Sequence, residues 1–593
     1  MATSRTRRAL VAGAAALAIG AAAAAQQRPE SLLPPGFGDN APTPVPSPST
    51  SPAAPGAPAA GTAPAPAPRV TATTPAGPLP PLPPLVMPSP TPSATPAAPR
   101  YEMPAFARRS LAQVGPSDSF AADAFAGADG RYVERLMRQL SAPIASRWLS
   151  IALRRLLAAE LVTPAHVNGA DFAAERAWLL LRMGESVTAR AVAQSVDADR
   201  VTPKLRQIWM QTALATADPG ALCPLAAGAG DSERGWIVAR AMCAGLTGTA
   251  RTQPLLAEIR RRRVASGIDL QLAQKVMGAG LNSRQAITIE WAPVTELTAW
   301  RFGLATATGV PIPAELYATV GSQVTGWRAL APAIPLGERA AVADRAAAMG
   351  TLSSAALVDL YAALGDAEEV PAPFARAAND LRDAYVGDSL DTRLGAMTRL
   401  WDSAETPAAR YGRLILTARA AARLLPAGEV EQADRLIASM LSAGLDRTAQ
   451  RWRAHVRAGG DAWAMLLLAD PDGGARGVSA ADYAPGGANA ERKKQLFFAA
   501  LAGLGDVPAA DLAEAGERFG VPVATANNWT RALDRAVAVR QQGTVVLLAA
   551  VGLQANGWGG VPPAALYRVV AALRAVGLDG EARMIAAEAI ARL

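Results

Sequence analysis

Apolar residues recur at helical spacing along most of this chain, and no convincing run alternates apolar and polar residues as an exposed strand would. In residues 143–161, an apolar stripe follows positions i, i+4, i+7 and i+8 and consists of Ile144, Trp148, Ile151 and Ala152. Arg147 and Arg154 lie on a different face of the same segment. The spacing predicts an amphipathic helix.

A second stripe, near the end of the chain, has clear start and stop signals. Pro562 and Pro563 precede it, and Gly577 stands where a glycine commonly closes a helix. Asp579 would then cap one final helix. The apolar positions of this stripe are Leu566, Val569, Val570 and Leu573.

Breaks that contain glycine and proline interrupt the helical pattern about every 12 to 20 residues. Examples lie at residues 218–220, 228–230 and 309–313. We therefore expect an all-α fold of about 25 short helices.

Tryptophans suggest that the helices form a repeat. Trp148, Trp178, Trp209 and Trp236 are separated by 30, 31 and 27 residues, close to the length of one helical hairpin. Such a period favours an α-solenoid, in which each hairpin buries its apolar face on the next.

Three glycines are followed five positions later by an alanine, which resembles the tetratricopeptide (TPR) repeat. In that family a glycine closes the first helix and a small residue lets the second helix pack closely. The pairs are Gly184 with Ala189, Gly428 with Ala433, and Gly577 with Ala582. The resemblance implies TPR-like helical hairpins.

The first 25 residues have the three parts of a secretory signal. Arg5, Arg7 and Arg8 form a basic region, an apolar stretch follows, and the alanine run ending at Ala25 offers cleavage sites. We expect an exported, periplasmic protein. The alternative is an uncleaved signal that tethers the chain to the inner membrane through residues 9–25, the only membrane contact expected.

A spacer that cannot form a packed core follows the signal. Residues 34–99 contain 23 prolines, which favour extended polyproline II. The expected organisation is a signal peptide (1–25), a disordered Pro/Ala/Ser/Thr-rich spacer (26–100), an α-helical solenoid (101–472), a Gly-rich break (473–488) and a C-terminal helical lobe (489–593). The lobe is either separate or continuous with the solenoid.

The net charge of +8 is weak support for an acidic partner. Only four lysines accompany 54 arginines, a bias typical of GC-rich coding. Nucleic acid is not expected as a partner, because an exported protein rarely meets it.

The two cysteines, Cys223 and Cys243, are candidates for a disulfide bond, since an isolated pair in an oxidising compartment is usually bridged. Two buried free thiols are the alternative. A bridge would join a short helix after Pro219 to the next helix.

Candidate chemistry is sparse. His166 and His455 stand far apart, without the spacing of a metal site or a catalytic triad. Glu185-Ser186 matches the catalytic pair of lytic transglycosylases, but the Gly-Leu-Met-Gln signature that follows it in those enzymes is missing. We therefore assign no catalytic residue, no metal site and no cofactor.

The densest charge cluster is the run Arg260, Arg261, Arg262 and Arg263. The side chains of four consecutive helical residues point to different sides of the helix and do not form one face. Basic residues near a helix C-terminus also interact favourably with the negative end of the helix dipole. We expect a solvated helix end, with a contact for an anionic partner as the alternative.

These patterns favour a non-catalytic scaffold or adaptor that binds protein partners in the cell envelope. The alternative is a protein directed to peptidoglycan or another polysaccharide, either as a binder or as a hydrolase with an unrecognised carboxylate site.

Overall fold

The computed structural model describes residues 104–141, 143–228, 230, 233–280, 287–428, 430–473 and 477–593. The predicted signal peptide and the whole of the predicted spacer lie outside these residues.

The described residues contain 25 α-helices, in agreement with the predicted number and all-α class. The first thirteen are α1 (Gly130–Gln139), α2 (Arg147–Ala158), α3 (Gly169–Arg182), α4 (Ser186–Ala193), α5 (Pro203–Ala215), α6 (Cys223–Ala226), α7 (Arg234–Leu246), α8 (Thr252–Arg261), α9 (Gly267–Gly280), α10 (Ala299–Ala307), α11 (Gln323–Leu330), α12 (Leu336–Ala348) and α13 (Ser354–Gly365). The others are α14 (Ala372–Val386), α15 (Leu390–Asp402), α16 (Pro407–Ala421), α17 (Ala433–Ser442), α18 (Asp446–Gln450), α19 (Asp461–Ala469), α20 (Ala490–Leu504), α21 (Leu512–Arg518), α22 (Asn528–Ala538), α23 (Gln542–Gly552), α24 (Pro563–Ala575) and α25 (Asp579–Ala591).

One short pair of strands was not predicted. Strand β1 (Gln113–Val114) pairs antiparallel with β2 (Leu161–Val162). Each strand has two residues, too few to show an alternating pattern in the sequence.

Local sequence explains where many of these helices begin. Alanine, abundant in this chain, has the highest helix propensity of the amino acids. Nine α-helices also start behind a Ser, Thr, Asp or Asn whose side-chain oxygen accepts a hydrogen bond from a first-turn backbone N–H. The prediction that Asp579 caps the final helix is wrong, because Asp579 is the first residue of that helix and its side chain does not cap it.

The three glycines of the TPR-like pattern lie at corners between consecutive helices. Gly184, Gly428 and Gly577 have φ values of 85°, 63° and 85°, in the left-handed region that glycine adopts without strain. Ala189 and Ala582 follow on the second helices of their hairpins and are fully buried. The segments at Gly184 and Gly577 are therefore helical hairpins closed by glycine, whereas Gly428 lies in the loop between α16 and α17, beyond the end of α16 at Ala421.

The buried apolar side chains form one cluster that runs from Val114 to Ile590. The predicted stripe on α24 is confirmed, since its four apolar residues are all fully buried. Of the four regularly spaced tryptophans, Trp209 and Trp236 are buried, whereas Trp148 and Trp178 are half-buried against the cluster.

Helices from the two ends of the described chain pack together. Helix α2 contacts α23 and α25, and α25 also contacts α17, α19 and α20. Residues Arg109–Leu593 accordingly belong to one compact unit, which includes both sides of the Gly-rich segment at 473–488. Residues 104–108 belong to a second unit, of which the structure describes a 3₁₀ turn at Ala105–Ala107.

Helix α2 is packed on more than its apolar stripe. Arg147 and Arg154, expected on a separate polar face, are only 3% and 7% exposed. The guanidinium of Arg147 donates hydrogen bonds to the carbonyls of Ala347 and Ser442, each at 2.8 Å. Those carbonyls end α12 and α17, where the helix dipole is negative and acceptors lack partners within the helix. Arg147 thus joins three helices.

Candidate functional site

A cavity of about 1240 Å³ opens where helices from distant parts of the chain meet. Its wall comes from residues 143–145 before α2, the C-terminal end of α12, the corner between α15 and α16, residues 556–558 and the C-terminal end of α25. We call it the Arg-rich cavity. Its volume exceeds that of many small-molecule pockets, so a chain-like ligand would fit.

The charged side chains that line this cavity are mainly cationic. They are Arg154, Arg345, Arg410, Arg435, Arg592 and Asp402. The excess of arginine predicts a preference for anionic ligands, because guanidinium groups bind carboxylates and phosphates through paired hydrogen bonds.

Three of these arginines already have carboxylate partners. Arg154 lies 3.2 Å from Glu185, Arg435 lies 2.6 Å from Asp402, and Arg592 lies 2.7 Å from Glu588. Asp402 is 63% exposed, so a ligand anion would compete with it for Arg435.

Arg345 and Arg410 differ from the others because no carboxylate lies within ion-pair distance of either in the described part of the chain. Both side chains are exposed to solvent. Arg410 donates a hydrogen bond to the backbone carbonyl of Glu405 at 2.9 Å. These two charges are the most available cations of the cavity.

Three aromatic residues also line the cavity, but none offers an open ring face of any size. Trp401 and Tyr411 are 3% and 4% exposed, with Arg435 stacked over the first ring and Arg592 over the second. Trp558 is 2% exposed, and its indole N–H has no acceptor within the described residues. Because this nitrogen has almost no accessible surface, Trp558 forms part of the cavity wall and offers no donor to a ligand.

The ion pair of Arg154 and Glu185 is largely buried in the cavity wall, where Arg154 is one of the lining residues. Burial raises the pKa of the Glu185 carboxyl, while the charge of Arg154 opposes that shift. The guanidinium also donates hydrogen bonds to the Met183 carbonyl and the Thr351 hydroxyl. Glu185, matched in the sequence to a catalytic glutamate, is therefore part of a buried structural pair.

Cys223 and Cys243 form a disulfide bond, with Cα atoms 5.5 Å apart. The bond connects the start of α6 to α7, the two elements that the sequence indicated. It lies away from the residues that line the Arg-rich cavity.

The arginines of the run at 260–263 are all exposed at the end of α8. Arg262 pairs with Glu258 one turn earlier, at 2.9 Å. None of the four lines the Arg-rich cavity. The structure therefore provides two separate cationic surfaces, of which the sequence indicated one.

The two histidines are not brought together. His166 is exposed, and its Nδ1 lies 2.7 Å from the Asp129 carboxylate. His455 packs beside Trp452. Within the described ranges, no group of three or more His, Cys, Asp or Glu side chains has an arrangement that would hold a metal ion.

In the part of the chain that the structure covers, no helix combines the length and apolarity needed to cross a membrane. No protein-family model, no curated protein and no solved structure matches this chain.

The cavity arginines could not be singled out from the sequence. Arg345, Arg410 and Arg435 lie on three helices, in a chain with 54 arginines. Only the packing of α12, α16 and α17 brings them to one wall.

Proposed function

We propose that this protein is an exported, non-catalytic scaffold or adaptor that binds a protein partner in the cell envelope. The Arg-rich cavity carries the proposal, because it is wide and lined by five arginines, two of which, Arg345 and Arg410, have no carboxylate partner among the residues that the structure describes. We further propose that the body is a solenoid of TPR-like hairpins, a class that commonly uses concave surfaces to bind other proteins.

Export is supported by the signal-like pattern of residues 1–25 and by the Cys223–Cys243 disulfide, a bond typical of oxidising compartments. The Pro-rich spacer would then hold the body away from its point of attachment, or remain as a solvated tail after cleavage.

Site-specific photocrosslinking in cells tests this function. A photoreactive residue is placed at Asn556 or Ala408, which line the cavity on different segments. The control position is Arg260, on the exposed end of α8. We expect both cavity positions to capture the same protein and the control position to capture none.

Two outcomes would contradict the proposal. Capture of no protein at either cavity position would remove the cavity as a partner site. Capture only at Arg260 would move the interface to the arginine run of α8.

A second candidate function is binding of an anionic cell-wall glycan, because the arginines that line the cavity would bind its carboxylates or phosphates. Sedimentation of the full chain with purified sacculi tests this candidate, and an assay for released muropeptides separates binding from hydrolysis. A chain that stays in the supernatant would exclude both.

A further inference from the structure

We infer that the Arg-rich cavity binds an acidic peptide segment, held mainly by Arg345 and Arg410. This inference rests on the proposed function, since it names the part of the partner that enters the cavity. Its chemistry can nevertheless be tested without knowing the partner.

The charges of the cavity support an acidic ligand. Arg345 and Arg410 are exposed and lack a carboxylate partner in the described ranges. A ligand carboxylate could therefore pair with them without breaking an existing ion pair. A guanidinium and a carboxylate form two parallel hydrogen bonds, the strongest common side-chain pair.

A third cation becomes available by exchange. Arg435 is stacked on Trp401 and paired with Asp402, which is 63% exposed and remains largely hydrated. An exposed ion pair contributes little free energy, so a ligand carboxylate would replace Asp402 at small cost. The contact between Arg435 and the Trp401 ring, 5.1 Å from the guanidinium carbon to the ring centroid, does not involve Asp402 and can persist when the carboxylate partner changes.

The size of the cavity suits a peptide segment. A peptide can carry a carboxylate at each of several successive residues, so an extended segment would meet more than one of the cavity arginines at once. The volume of about 1240 Å³ would hold several residues.

The same observations disfavour a glycan. Sugar rings bind proteins largely by stacking on open aromatic faces, whereas Trp401 and Tyr411 are nearly buried and their faces are occupied by arginines. The cavity therefore offers charge and hydrogen bonds rather than a stacking platform.

Fluorescence anisotropy of a fluorescein-labelled hexaglutamate peptide, titrated with the full chain, tests the inference. Labelled hexaglutamine is the neutral control of equal length. We expect saturable binding of hexaglutamate only, weakened by added salt. Saturation with hexaglutamine at the same protein concentration, or no binding of hexaglutamate, would overturn the inference.

Two double variants remove the same charge from different surfaces. R345A/R410A changes the cavity and R260A/R261A changes the exposed end of α8. We expect at least tenfold weaker binding for the first and less than twofold change for the second. Equal weakening by both would show attraction to net charge alone and would contradict a built site.

A variant with the opposite expected effect guards against misfolding. Asp402→Asn removes the carboxylate that pairs with Arg435. Hexaglutamate should therefore bind this variant at least about threefold more tightly than it binds the unchanged protein. Unchanged or weaker binding would count against a role for Arg435. The melting temperature of each variant shows whether it is folded.

Competition separates the ligand sources. Unlabelled hexaglutamate should displace the labelled peptide at lower concentration than oligogalacturonate or inorganic phosphate does. If oligogalacturonate displaced the labelled peptide at a lower concentration than hexaglutamate does, the inference of a peptide ligand would be overturned in favour of a glycan. If hexaglutamate binds but photocrosslinking at the cavity captures no protein, the proposed function is contradicted and this inference is not. If photocrosslinking captures a partner but hexaglutamate does not bind, this inference is contradicted and the proposed function is not.

Discussion

The carboxylate of Glu588, on the last helix, accepts a hydrogen bond from the backbone N–H of Arg147 at 2.8 Å, across 441 positions of sequence. It also accepts bonds from the Ser146 hydroxyl and the Trp148 backbone N–H. One side chain of α25 therefore caps the N-terminus of α2, where the helix dipole is positive and backbone donors lack partners. This contact fixes one side of the Arg-rich cavity.

Replacing Glu588 with Ala should lower the free energy of unfolding by about 2 to 4 kcal/mol, because two buried donors and one partly buried donor lose their acceptor. Chemical denaturation measures this value. Glu581→Ala on the same helix is the control, since that carboxylate is 3.9 Å from Arg155 in a partly exposed pair and should cost less than about 1 kcal/mol. Equal losses would mean that the cap adds nothing to stability.

Arg147→Met should destabilise the protein by about 2 kcal/mol or more, because helix-end carbonyls of α12 and α17 lose a charged donor while the volume is nearly kept. Removing the guanidinium also removes the cost of burying its charge, but that gain offsets only part of this loss. Arg155→Met, at an exposed position of α2, is the matched control. A stability of Arg147→Met equal to that of the control would contradict the role of Arg147 as a link between helices.

Reduction of the Cys223–Cys243 bond should lower the free energy of unfolding by roughly 3 kcal/mol, the effect expected for a loop of this length. Unfolding curves with and without dithiothreitol measure the difference. The double variant C223S/C243S should match the reduced protein and should not respond to dithiothreitol. An effect of dithiothreitol on that variant would show that the reagent acts elsewhere.

Acid should weaken the cap of α1. The hydrogen bond from His166, with help from the backbone N–H of Tyr132, lowers the pKa of Asp129 below its ordinary 3.8. A depressed carboxyl pKa stabilises the fold above the unfolded value and loses that contribution as the pH falls through the folded value.

His166→Ala should therefore raise the pKa of Asp129 towards 3.8 and reduce the acid-dependent part of the stability. Unfolding curves between about pH 5 and pH 2 compare this variant with His455→Ala, which leaves Asp129 untouched. Identical pH profiles for the two variants would contradict the coupling.

The sequence predicted local structure better than packing. The stripe on α24 and the glycine corners depend on spacing within one hairpin, so the chain itself displays them. The environment of Arg147 depends instead on α12, α17 and α25, which are hundreds of residues away in sequence. An arginine on the polar side of one helix looks exposed until distant helix ends are known to surround it.

The candidate site was hidden for the same reason. A run such as 260–263 attracts attention because its charges are adjacent in sequence, yet it forms an exposed helix end. Arg345, Arg410 and Arg435 are separated in sequence and become neighbours of one cavity only through the contacts between helices.

Hydrogen–deuterium exchange of the full chain, alone and bound to the partner that photocrosslinking identifies, would locate the binding surface. We predict slower exchange on binding in three segments of the cavity wall, at residues 345–349, 401–411 and 556–558, with no change at 260–263. Protection confined to 260–263, or to any surface outside the cavity, would contradict the assignment of the Arg-rich cavity as the binding site.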